Sequence, residues 1–193
     1  IKLYLAVLVL PPMLVISALA IGQWIFNAEY DLTQLPSLVI ISLLFVQILL
    51  LGGPLNEELG WRGFALPQLQ KSTSALNASL VIGALWALWH LPLFWANIPG
   101  YTLMPFYLYG LNTLALAIIF TWLYNSGHGQ LWLAVLLHAV FNTVNWLMIP
   151  LLPQDLVTPI SAIYVGLMLL VASTIVIKFG SHTLSSQPKS IEI

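Results

Sequence analysis

Apolar residues run almost without interruption through six stretches of the chain, at about 3–26, 35–53, 76–96, 103–125, 131–151 and 157–178, with polar residues gathered between them. Such stretches suit helices, which need roughly 20 residues to cross about 30 Å of hydrocarbon. None shows the alternation of apolar and polar positions that marks a barrel strand. The pattern predicts an all-α protein, a polytopic bundle of about six membrane-spanning helices forming one domain over 1–180. A polar tail at 181–193 follows; it contains His182 and Pro188, carries little apolar surface, and is expected to be disordered and cytoplasmic. Pro11-Pro12 and Pro92 fall inside the first and third stretches, where they should kink a helix locally without stopping it. No repeat, low-complexity segment or second domain is visible.

Composition narrows the class. Sixty per cent of residues are apolar and 6% are charged, with a mean hydropathy of +0.97, whereas soluble domains carry roughly 25% charged residues. This is the composition of an integral membrane protein, so one partner is the lipid bilayer. Five basic residues and a net charge of −1 provide no patch for neutralising phosphates, which argues against nucleic acid as a partner. Cysteine is absent, which removes disulfides, thiolate metal sites and thiol nucleophiles.

The five basic residues set an expected orientation. With six crossings, Lys2, Arg62, Lys71, Lys178 and Lys189 all fall on one side and Glu29, Asp31 and Asp155 on the other. The positive-inside rule makes the first side cytoplasmic, together with both termini and the 54–75 segment between the second and third stretches. Asn77-Ala78-Ser79 fits a glycosylation sequon, but this topology keeps it cytoplasmic and unused. A rival reading takes the first stretch as a signal peptide cut after Ala18-Leu19-Ala20. The apolar run continues through Trp24-Ile25-Phe26, unlike a short h-region. The chain starts at Ile1 rather than Met, which is compatible with missing N-terminal residues.

Candidate chemistry lies in the few polar residues among these runs. A charged side chain at bilayer depth costs roughly 2.5–3.5 kcal/mol on insertion scales, so such residues pair or work. Glu57-Glu58-Leu59-Gly60-Trp61-Arg62 holds three charged groups in six residues. If helix continues from about 54, Glu58 and Arg62 stand at i, i+4 and can pair, while Glu57 points about 100° away and remains available as a proton acceptor. Trp86 and His90 share a face of the third stretch, and His138, Asn142 and Asn145 form a polar stripe on the fifth. Each alone could be interhelical glue; together they point to a site.

Glu57-Glu58-x-x-x-Arg62, Trp86-x-x-x-His90 and His138-x-x-x-Asn142, each on its own segment and in this order, resemble the motifs of the CAAX-processing and bacteriocin-processing intramembrane proteases, the CPBP or Abi family. The resemblance covers about residues 50–150. Trp86 stands where phenylalanine is commoner, and family members usually carry about eight membrane segments. The resemblance implies an intramembrane endopeptidase acting on a membrane-associated peptide or protein, such as a prenylated tail or a leader peptide. It implies catalytic Glu57 and His90, which activate water, with His138 and Asn142 at the oxyanion and Glu58, Arg62 and Trp86 in support. No cofactor is required on this reading. The alternative is zinc on Glu57, His90 and His138, although no His-Glu-x-x-His is present. The expected setting is a multi-pass protein with its active site near the cytoplasmic side, in the plasma membrane of a bacterium or the endoplasmic reticulum of a eukaryote. A non-catalytic scaffold or a small transporter using the same polar residues is the competing class. Convergence of the three motifs in one cavity would discriminate between them.

Overall fold

The computed structural model describes residues 1–96, 98, 101 and 103–186, which contain helices and turns and no strand. The long helices are α1 (Lys2–Phe26), α2 (Leu38–Leu51), α5 (Ala75–Trp95), α6 (Phe106–Ser126), α7 (Leu131–Met148) and α8 (Val157–Phe179). Between α2 and α5 lie α3 (Pro54–Gly60), a π-helical turn (Trp61–Ala65) and α4 (Leu66–Leu69). Six helical runs among the described residues are long and apolar enough to cross a membrane. Both α1 and α5 continue through their internal prolines.

The 54–75 segment is mostly helix, as the pairing of Glu58 with Arg62 requires. Leu38–Leu69 forms one candidate span of 32 residues, interrupted by a break at Gly52-Gly53. Gly53 has φ +103°, a conformation open to glycine, and Pro54 then opens α3 at a position that needs no amide donor. The charged hexapeptide therefore enters the bundle. Arg62, counted above among the cytoplasmic charges, is completely buried, so it says nothing about orientation. Lys189 lies outside the described residues, which leaves Lys2, Lys71 and Lys178 as the basic residues at helix ends.

The centre of the bundle is α6 and α7. Helix α6 packs on α5, α7 and α8, while α7 also meets α1, α2 and α3. Helices in lipid associate through close packing of small residues, since lipid tails are as apolar as leucine. Gly83 shows this: a Cβ there would lie 2.9 Å from Cα of Leu114 and 3.1 Å from Cβ of Ala117, so α5 and α6 meet backbone to backbone. Helix α2 is peripheral and has no buried residue.

The tail also departs from expectation. Residues 181–186 pack against the bundle: Leu184 is fully buried, and the carbonyls of Ser181 and His182 accept from the amides of Leu76 and Ala75. Asn125 donates to the carbonyl of Thr183, and the Ser186 amide donates to Ser126. With Ser74 accepting from Asn77, the orphan donors of the first turn of α5 are satisfied. Counting apolar surface alone missed this role of the tail's backbone. Residues 187–193 lie outside the described residues.

Candidate active site

Glu57 and Glu58 leave α3 on different faces, and their surroundings differ accordingly. Glu58 is fully buried; both its oxygens accept from Nη1 of Arg62 at 3.0 Å. Its Oε1 also accepts from Nδ1 of His138 at 2.9 Å. The pair therefore forms at i, i+4 as the spacing predicts. Arg62 sits in the π-helical turn, a feature frequent at functional sites. Its guanidinium lies 4.2 Å from the Phe120 ring centroid and 5.2 Å from that of Trp86. Its Nε and Nη2 have no hydrogen-bond partner among the described residues, so aromatic faces replace part of the lost hydration.

Glu57 faces the other way. One carboxylate oxygen, Oε2, accepts from the indole Nε1 of Trp86 at 3.0 Å. On its other side the carboxylate fills the space a side chain at Gly53 would need. Glycine is thus required at 53 both by its positive φ and by this close approach.

Two histidines complete the centre. His90 Nδ1 donates to the carbonyl of Trp86 at 3.0 Å, because only the ring nitrogen can supply the hydrogen; when neutral, His90 therefore keeps a lone pair on Nε2. Likewise His138 Nδ1 donates to the Glu58 carboxylate. The Trp86 ring makes edge contacts with both, at centroid separations of 6.4 Å to His90 and 5.3 Å to His138.

Glu57, Trp86, His90, His138 and Asn142 all line one cavity of about 440 Å³. Glu58 and Arg62 stand behind it, reaching the cavity through His138 and Trp86. Sequence reading missed several further lining residues. Tyr101 and Tyr109 place their rings 5.6 and 5.5 Å from that of His90, and Asn112 and Ser161 add polar groups. Tyr164 accepts from Asn145 at 3.1 Å. An asparagine inside the apolar α6 was the one signal available for this wall.

Among the described residues no three His, Cys, Asp or Glu side chains are grouped so as to hold a metal ion. Glu57, His90 and His138 share the cavity, each with one polar atom engaged by Trp86 or Glu58 and a second, Oε1 or Nε2, outside those bonds.

The cavity does not share an end of the bundle with the lysines. Along α5, His90 lies about 22 Å from Ala75, the residue nearest Lys71, at a rise of 1.5 Å per residue. The lining then continues onto Met104, Ile149, Leu152 and Val157, at or beside the far ends of α6, α7 and α8. A cytoplasmic cavity and a cytoplasmic lysine end cannot both hold.

Fold and site thus define a multi-span α-helical membrane protein with a carboxylate, histidine and asparagine centre inside its bundle. The profile of the type II CAAX prenyl endopeptidase Rce1-like family matches residues 37–144, and the chain belongs to that family. It is 35% identical over 139 residues to the CAAX prenyl protease 2 of Methanococcus maripaludis, an alignment covering 68% of this chain. The chain spans about half, 49%, of the length of that relative.

Proposed function

We propose that the protein is an intramembrane endopeptidase that hydrolyses a peptide bond of a membrane-associated substrate, of the prenylated-tail or leader-peptide type. The observation that carries this reading is the convergence of Glu57, His90, His138 and Asn142 on one cavity. A scaffold has no need of it.

Glu57 takes a proton from a water that His90 orients through its Nε2 lone pair, and the water oxygen attacks the scissile carbonyl carbon. The carbonyl oxygen becomes an oxyanion that accepts from the Asn142 amide and from His138. Because Nδ1 of His138 already donates to Glu58, donation from Nε2 requires the imidazolium, whose charge the Glu58 carboxylate offsets. Protonated Glu57 then passes its proton to the leaving amine as the C–N bond breaks.

No step is routed through a metal, and proteolysis of candidate membrane peptides by purified protein should persist in a strong chelator. Loss of cleavage in chelator with recovery on zinc would replace this mechanism by a zinc-dependent one. Cleavage of no candidate peptide under any condition would favour the scaffold or transporter.

The active site is assigned to the cytoplasmic side, where newly made tails and leader peptides reside. The described lysines Lys2, Lys71 and Lys178 all lie at the opposite end, so the positive-inside rule alone would reverse this assignment and the reporter test decides it. A reporter after residue 30, at the cavity end, should read cytoplasmic, and one at 72 should not. The reverse result would put the cavity on the outer side and exclude cytoplasmic tails.

A further inference from the structure

We propose that Trp86 is a positioning residue for Glu57, and that its indole N–H holds the carboxylate in the orientation needed for attack. This inference rests on the proposed function for its kinetic consequence but not for the contact itself. Trp86 is nearly buried, at 4% exposure, so its ring is held by packing. Phe120 lies edge-on at 6.0 Å, His138 at 5.3 Å and His90 at 6.4 Å. A ring fixed on three sides fixes the direction of its N–H, and that N–H ends on Glu57 Oε2 at 3.0 Å.

The bond constrains the carboxylate without consuming it. Trp86 binds one oxygen and leaves Oε1 on the Gly53 side, where only a residue without a side chain leaves it room. An indole has one donor and no acceptor, so it cannot take the proton that Glu57 must carry to the leaving amine. Phenylalanine at this position would keep an aromatic ring in the same pocket and lose the donor. The guanidinium of Arg62 at 5.2 Å from the same ring adds a second link. A cation near the indole draws electron density from it and strengthens the N–H as a donor. Arg62 thereby influences Glu57 through the ring, although among the described residues its hydrogen bonds go to Glu58 alone.

The test replaces Trp86 in the full chain by phenylalanine and, separately, by 3-benzothienylalanine, which keeps the bicyclic shape and substitutes sulfur for N–H. Both should lower kcat by about 10- to 100-fold, the scale of one hydrogen bond to a charged group, with KM within about twofold and thermal stability retained. A benzothienylalanine variant at wild-type kcat would overturn the proposal. A second readout needs no turnover. In protein labelled with 15N-tryptophan, the Trp86 indole resonance, assigned by its loss in Trp86→Phe, should lie downfield and move upfield in Glu57→Gln. An indole resonance indifferent to Glu57→Gln would also overturn it. If the wild-type protein cleaves nothing while the resonance responds to Glu57, the contact stands and the proposed function alone fails.

Discussion

Two adjacent carboxylates on one helix have been given opposite environments. On the buried side, Glu58 spends both oxygens on Arg62 and one of them again on His138, with no solvent contact. On the cavity side, Glu57 has one donor among the described residues, the Trp86 indole, and borders open space. A charge inside a bundle can be tolerated by saturating it or by leaving it beside a space that water or substrate can enter. The first solution makes structure and the second leaves chemistry available. His138 belongs to both sides: one nitrogen is committed to Glu58 while its ring lines the cavity.

The contrast breaks most sharply under mutation of the charged groups themselves. Glu57→Gln should abolish cleavage while folded yield stays near wild type, because a carboxamide cannot act as the base. Arg62→Ala should instead lose folded protein, since removing one partner of a buried pair costs about 3–5 kcal/mol. Yields measured by size-exclusion chromatography decide this, and equal loss of fold in both variants would erase the distinction. Next in size, Asn142→Ala should slow turnover by about 10²–10³ without ending it, as expected for one oxyanion donor. Wild-type turnover would remove Asn142 from the cavity chemistry. The smallest effect concerns a residue on neither side. Leu184→Ala should lower stability by about 2 kcal/mol or more and leave kcat unchanged. A change in kcat would show that the tail's packing reaches the site.

Much of this was legible in the sequence because helical spacing is rigid. Glu58 and Arg62, Trp86 and His90, and His138 and Asn142 are pairs at i, i+4, and helix geometry alone puts each on one face. The apolar run stops at 53, which ends the second stretch there and counts Arg62 among the cytoplasmic charges, because charge usually means an exposed segment. Burial of Arg62 was possible only because Glu58, Phe120 and Trp86 come from three different segments, and no local pattern reports that. The Trp86 to Glu57 bond and the Asn145 to Tyr164 bond are of the same kind, long-range meetings between short signals. The tail misled for another reason: its value lies in carbonyls, which every residue has.

Those carbonyls have a consequence for how the protein is made. Helix α5 emerges with the amides of Ala75 and Leu76 unsatisfied, and the carbonyls of Ser181 and His182 that receive them follow roughly a hundred residues later, about 5–20 s at ordinary rates of synthesis. During that interval the start of α5 must borrow water or lipid headgroups at the membrane surface. Closure of the bundle is thus timed by late translation, and biogenesis factors have a window in which this helix can still be repositioned.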